Sequence, residues 1–445
     1  METDKTTISD LVIFDREDEF SVFQKIDLTV TSRGREQLRQ NLRSLLNSAG
    51  AIQAVQDCVL FIKNKKQHWP AGISNGTVMV VERFYEANID RVPGTSSVSL
   101  SAAYKLSVLN YQFLHSGDFS LVKYSVKHCF DLVKGMQQML HSFLTDETPL
   151  LLKKQLQEAE KILARKELNI ILENKESSDL STARMLQLAH FILYRYRLNI
   201  LELLHIFGRL DAWYSMALAT EKFGLVMPEF SETTEPFIEA DALYHILVED
   251  AVSYDLLLDK AHNFLFLTGA NMAGKSTFIK ACGVAVYLAH AGMGVPAKKM
   301  KLSYFDGILS NINVIDNIAK GESYFFNEVQ RIKATIEKLN DGRKWLILID
   351  ELFKGTNVQD AMKCSSTVIE GLLKIKNAVF ILSTHLYEIG DELKKYPNIR
   401  FSYFETSVKD DQLSFSYKLK EGVSNDRLGY LILKKEGVVK MLEDL

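Results

Sequence analysis

Cysteine is scarce in this chain: four in 445 residues, at Cys58, Cys129, Cys282 and Cys364, with no C-x-x-C pair. That spacing excludes a disulfide framework and a cysteine zinc site, and fits reduced thiols. Proline is scarcer than average, with seven in all, and between Pro93 and Pro228 there is only Pro149. Long helices are free to run through that interval. No apolar run approaches the roughly 20 residues of a membrane span. The N-terminal METDKTTISD is polar and carries no signal-peptide pattern, so a cytoplasmic protein without a membrane partner is expected. Positive charge is not in excess either. Fifty-three Lys and Arg face 56 Asp and Glu, for a net charge of −3. That balance gives no global signature of a nucleic-acid binder, although a local basic patch can still exist.

What the chain does have is ample apolar content, 47%, with 24% charged residues, and a length that calls for more than one core. Two textures divide it. Up to about residue 225 the apolar residues fall at helical spacing, as in Leu38, Leu42, Leu45 and Leu46, then Ile52, Val55, Val59 and Ile62. Longer amphipathic stretches follow over 99–114, 121–144, 149–172 and 181–223. A basic cluster, Lys63, Lys65, Lys66 and His68, sits where a helix C-terminus would favour cations, the alternative being a contact to DNA phosphates. Residues 227–239, with Pro228 and Pro236, read as a linker or crossover. Beyond them short apolar runs alternate with helical patterns. Strands are expected at 262–268, 302–309, 345–349 and 378–383, with a hairpin from 400–408 and 412–419. The expected fold is α and α/β: an all-helical domain over 1–225, then a doubly wound α/β domain over 226–445.

The chemistry concentrates in the second half. The apolar run Phe264–Thr268 leads into Gly269, Ala270, Asn271, Met272, Ala273, Gly274, Lys275, Ser276 and Thr277, and a helical pattern follows. Strand, glycine loop and helix, at G-x-x-x-x-G-K-S spacing, describe a phosphate-binding loop. The glycines let backbone N–H groups turn toward phosphate oxygens, and the helix adds its positive end. Lys275 can reach the β- and γ-phosphates, and the Ser276 hydroxyl can ligate Mg²⁺. A second apolar run, Leu346–Ile349, ends in Asp350 and Glu351. In a parallel sheet that end lies beside the loop, so Asp350 is placed to hold Mg²⁺ and Glu351 to orient or deprotonate the attacking water. His385, after the next strand, can donate to the γ-phosphate or the water. Ser323, read alone, is a good helix N-cap.

The order of these motifs resembles the MutS family of DNA mismatch-repair ATPases, of the ABC class. The resemblance runs through TGANMAGKST, GVPAKKMKL, GESYFFNEVQRI, LILIDELFKGTNVQDA, STHLYEI and GVSNDRLGYLILKKEGV. The early SVFQKIDLTVTSRGREQLRQNLRSLL is similar to the start of the family's core, or lever, domain. The resemblance implies an ABC-class ATPase domain, ATP as nucleotide, and a homodimer with composite sites. Ser323 is implied to reach the γ-phosphate bound on the opposite subunit, Glu328 matches a glutamate of the same helix, and His385 matches the switch histidine. Tyr417 falls where the family often has a histidine stacked on adenine. Tyr254 and Lys354 stand where Asn and Arg are common. Since the chain starts at the core-domain motif, the mismatch-reading domain with its Phe-x-Glu wedge, the connector and a C-terminal Smr segment are all expected to be absent.

These readings combine into one expectation. The protein binds and hydrolyses ATP with Mg²⁺ as a dimer, with Glu351, His385 and Lys275 catalytic and Ser276 and Asp350 on the metal. Hydrolysis drives a helical lever that handles duplex or branched DNA in mismatch repair or related repair and recombination. The alternative is a nucleotide-gated switch for a protein partner that does not recognise mismatched DNA.

Overall fold

The change of hydrophobic period near residue 225 reappears as a change of architecture. The computed structural model describes residues 1–14, 20–89, 91–94, 101–313, 324–409, 412–424 and 437–443. The chain divides into two compact units. One holds Asp27–Arg43 and Gln53–Glu221; the other holds Met1–Ile26, Ser44–Ile52 and Lys222–Leu445.

The first unit is helical. Its longest helix, Ser116–Phe143, buries Val122, Val126, Phe130, Val133, Met136 and Leu140 along one side, the stripe that a 3.6-residue period produces. The stretch expected over 149–172 stops at Leu163, then resumes as a short 3₁₀ turn and the helix Asn169–Glu173. The stretch over 181–223 is interrupted by a π-helical turn at Phe191–Arg195 before the helix Arg197–Lys222. Buried Asp211, in that last helix, accepts from the Val30 N–H (2.9 Å), the Thr31 N–H (2.9 Å) and the Thr31 hydroxyl (2.6 Å). These bonds tie the entry of the helix Ser32–Arg43 into the unit. Two members of the basic cluster have structural partners: Lys65 donates to the Ser142 carbonyl, and Lys66 pairs with Glu221.

The second unit is α/β. Its strands are β1 (Glu229–Ser231), β2 (Ile238–Leu243), β3 (Tyr254–Leu258), β4 (Phe264–Thr268), β5 (Lys299–Ser303), β6 (Gly307–Asn311), β7 (Trp345–Asp350), β8 (Ala378–Ser383), β9 (Ile399–Lys409) and β10 (Gln412–Glu421). The main sheet has the order β10-β9-β4-β8-β7-β6, parallel throughout except for the antiparallel β10. Strands β4, β6, β7 and β8 are buried along their whole length, as expected of parallel strands covered on both faces. A smaller sheet has the order β1-β5-β2-β3.

Three expectations are corrected here. Residues 1–26 and 44–52 belong with the α/β unit rather than with the helices. The cause is non-local hydrogen bonding: Glu2 pairs with Gly307, and the Met1 ammonium and Tyr304 hydroxyl both donate to the Leu46 carbonyl. The single strand expected over 302–309 is two strands in different sheets, β5 and β6, because the chain turns at Tyr304–Asp306. The linker expected over 227–239 contains β1 and the start of β2.

Candidate active site

Register brings the chemistry together. Strand β8 lies between β4 and β7, with Leu267 opposite Ser383 and Asp350 opposite Ser383. The carboxyl ends of three neighbouring strands therefore present the glycine loop, the Asp350–Glu351 pair and the Ser383–His385 segment side by side. Lys275 opens the helix Lys275–His290, with Gly274 as its N-cap. The first turn of any helix leaves N–H groups without an intrahelical acceptor, and here they face the loop.

Gly269 (φ 140°) and Gly274 (φ 108°) both lie in the left-handed region, and a Cβ at Gly269 would sit 3.2 Å from the Cβ of Phe404. Both glycines are thus required by conformation, and Gly269 by space as well. Lys275 is buried; its Nζ donates to the Gly269 carbonyl (2.8 Å) and the Ala270 carbonyl (3.0 Å) and lies 3.3 Å from His385 Nε2. Burial pushes its pKa down to about 8, against the raising effect of Glu351 and Asp350. The Ser276 hydroxyl donates to Asp350 Oδ2, and the Ser383 hydroxyl donates to Asp350 Oδ1. His385 Nε2 meets Glu351 Oε1 at 2.9 Å. Burial acts to raise the Glu351 carboxyl, but the His385 hydrogen bond and the charges of His385, Lys354 and Lys275 outweigh it and hold the group below its ordinary value.

These groups open on a cavity of about 500 Å³, which Asn271, Met272, Thr277, Glu351, His385 and Tyr417 help to line. Tyr417 reaches it through an irregularity. The β9–β10 ladder slips between Phe415 and Leu419, and Tyr417 takes φ 51° there. A bulge of this kind re-aims a side chain; the Tyr417 ring lies 3.4 Å from where a Cβ on Gly274 would sit. Tyr254 approaches the same glycine, its hydroxyl 3.7 Å from that position. Left-handed backbone at non-glycine residues gathers here too, at Asp250, Met272, Glu351, Phe353 and Tyr417. Each such residue costs about 1–3 kcal/mol, and such strain clusters at functional sites.

The structure thus brings together Lys275, Ser276, Asp350, Glu351, His385 and Tyr417, together with the whole loop from Gly269 to Thr277. Ser323 lies outside the described residues. Two contributors escaped the sequence reading. Ser383 was passed over beside His385, although its period-2 partner position opposite Asp350 follows from pairing the two strands. The segment from His245 to Val252, which lines the cavity, carries no motif of its own.

The oxygen set fits a hard divalent cation: a serine hydroxyl and an aspartate carboxylate bonded to each other at the mouth of the glycine loop. Ser276 and Asp350 are the residues that would hold Mg²⁺.

Comparison with known proteins gives one family and many relatives. Residues 265–442 match the family model "MutS domain V". The chain is 29% identical over 254 residues to the DNA mismatch repair protein MutS of Streptococcus sanguinis (strain SK36), covering 56% of this chain and 29% of that protein. Against the protein of the same name from Carboxydothermus hydrogenoformans it is 31% identical over 236 residues, covering 52% and 28%. Against that of Petrotoga mobilis it is 27% identical over 287 residues, covering 64% and 34%. The matches span about a third or less of the length of these curated relatives.

Proposed function

The chain belongs to the MutS family, and from that membership we propose that it is a Mg²⁺-dependent ATPase working as a homodimer, whose turnover moves the helical unit as a lever on duplex or branched DNA. The observation that carries the proposal is the convergence of Lys275, Ser276, Glu351 and His385 on one cavity beside a glycine loop, with Asp350 hydrogen-bonded to Ser276 behind it. Together they supply what phosphoryl transfer to water requires.

Roles follow from the contacts. The loop N–H groups and Lys275 bind the phosphates, and Lys275 exchanges its bonds to the Gly269 and Ala270 carbonyls for bonds to phosphate oxygens. Ser276 and Asp350 would hold Mg²⁺, which would supply positive charge against the β- and γ-phosphates. Ser383 fixes the second oxygen of Asp350, so that carboxylate cannot swing away. Glu351 orients and deprotonates the water, and the 2.9 Å contact to His385 holds its carboxylate in the ionised form a base needs. Tyr417 offers a ring for adenine. Family membership, and no contact, assigns Ser323 to the triphosphate of the opposite subunit, so that two chains together would complete each site. In this reading DNA mismatch repair, or a related repair or recombination process, is the setting.

Binding tests the proposal first. Purified protein is expected to bind ATP in a calorimetric titration with Mg²⁺ present, and Lys275→Ala to lose that binding at least tenfold. Equal binding by both proteins would refute the loop's role.

One observation favours a second reading for the helical unit, a nucleotide-gated protein partner in place of DNA. The helix Ala102–Leu114 leaves Leu106, Leu109, Phe113 and Leu114 exposed, the last two at 78% and 77%. Exposed aliphatic and aromatic residues on successive turns suit a protein contact rather than a phosphate backbone. The same unit also has Lys123, Lys127, Lys134 and Lys175 around a groove of about 560 Å³, which suits DNA. Loss of salt-sensitive DNA binding in Lys123→Glu/Lys127→Glu, with Phe113→Asp unaffected, supports the lever-on-DNA reading; the reverse pattern supports the partner reading.

A further inference from the structure

Glu328 is a carboxylate that the proposed mechanism does not use, yet it is 1% exposed. It lies one turn into the helix Tyr324–Leu339. Its oxygens accept from the Lys354 N–H (3.3 Å) and the Gly355 N–H (3.4 Å), and the Phe353 N–H faces it as well. These three residues follow Asp350 and Glu351 with only Leu352 between. The same short loop is strained, with φ 66° at Glu351 and φ 61° at Phe353. Strain of that kind persists only where the surroundings over-determine it.

The rest of the helix is anchored in turn. Arg331, one turn on, donates to the Ser310 carbonyl and to both oxygens of Asp4, and Phe325 packs against Phe353 with ring centroids 5.6 Å apart. Asp4 also caps the short helix Lys5–Asp10, whose Asp10 accepts from the Ile312 and Asn313 N–H groups. The helix therefore cannot shift without breaking bonds at both ends of this chain of contacts. On the other side, Lys354 Nζ lies 3.8 Å from Glu351 Oε2, so the loop that Glu328 holds reaches the reactive carboxylate directly.

We infer that Glu328 is a positioning residue for Glu351: its buried carboxylate collects the N–H groups of the loop 353–355 and fixes the strained backbone from which Glu351 projects. A buried carboxylate is costly, and burial raises the Glu328 pKa against the lowering effect of these N–H groups. An apolar side chain would fill the space, but it would leave three N–H groups without an acceptor. The inference rests on Glu351 being the base, and predicts that its alignment fails while nucleotide binding survives.

The test is Glu328→Gln, which keeps the shape but turns an N–H donor toward N–H groups. Misplacing a reactive group by about 1 Å costs on the order of 100-fold. Turnover is expected to fall at least tenfold, with KM for ATP within about twofold of the unaltered protein. Glu328→Gln added to Glu351→Gln is expected to cause no further fall, because the first acts through the second. A kcat within twofold of the parent, a rise of KM in step with the fall of kcat, or an additive loss in the double variant would each overturn the inference. Arg331→Lys, which loosens the same helix at its contacts with Ser310 and Asp4, is expected to show the same kcat loss at unchanged KM. It serves where Glu328→Gln fails to fold, and an unaltered kcat in it then overturns the inference. Glu351→Gln alone separates the two levels. If it stops turnover and Glu328→Gln does not, only the positioning role falls; if it leaves turnover intact, the assignment of the base falls.

Discussion

His290 makes acid stability a sharp test of how the site helix is held. The residue is fully buried near the end of the helix that begins with Lys275 and Ser276. The Phe305 N–H donates to its Nε2 at 3.0 Å, so the ring proton sits on Nδ1, which donates to the Val286 carbonyl at 2.8 Å. The imidazole therefore has its full complement of partners only when neutral. Burial pushes its pKa from 6.5 down to about 3, opposed by the Val286 carbonyl and helped by the N-terminal charge. A depressed histidine contributes stability that is present above pH 6.5 and lost as pH falls toward 3, because the unfolded chain takes up the proton first. Between pH 7 and pH 5 the loss is about 2 kcal/mol. Asp211, in the helical unit, works the other way. Burial raises it to about 6, so its contribution is present below pH 3.8 and lost as pH rises through 6. A probe confined to the α/β unit is therefore needed. His245 of the same unit is also pushed down by burial, to about 4, so hydrogen exchange of the Phe305 amide and of the helix Lys275–His290, corrected for intrinsic rate, is expected to lose at least about 25-fold in protection from pH 7 to pH 5. His290→Gln, which can keep both hydrogen bonds through its amide, is expected to lose about 25-fold less protection than the unaltered protein over that interval, the remainder coming from His245. Protection in the unaltered protein that does not respond to pH would refute the reasoning.

Two further predictions concern packing and the metal. A Cβ at Gly307 would lie 2.1 Å from the buried Trp345 indole, its cross-strand neighbour, so Gly307→Ala is expected to lower stability by about 1–3 kcal/mol in denaturant unfolding; an unchanged midpoint would contradict the packing. Asp350→Asn keeps the shape between Ser276 and Ser383 but removes the charge, and ATP affinity is expected to become nearly indifferent to Mg²⁺, read by titration with and without the ion.

Much of the α/β unit was legible because its signals are local. Phe264–Thr268 and Ala378–Ser383 are unbroken apolar runs, and the structure has strands over those residues. Glycine spacing marked the loop, and the strand-end rule put Asp350 and Glu351 beside it. The small sheet was not legible: Glu229–Ser231 is three residues long, and Ile238–Leu243 is flanked by prolines and polar residues. Nor was the seating of residues 1–13, where Asp4, Thr7 and Asp10 bond to residues some 300 positions away. Periodicity reports which face is buried, not which distant backbone group a carboxylate will meet. The bulge that turns Tyr417 toward the loop left no signal in composition, and its place in the reading came from resemblance. Glu328 was marked only by the resemblance, without a role, and only the fold brings the Lys354 and Gly355 N–H groups to it.

The central claim is that Glu351 activates water against a triphosphate held by the glycine loop. Single-turnover hydrolysis by Glu351→Gln, at saturating ATP and Mg²⁺, tests it most directly. Loss of a general base costs about 10²–10⁴-fold, so the account predicts a fall in rate of that size with nucleotide binding unchanged. A single-turnover rate within a few-fold of the unaltered protein would contradict it.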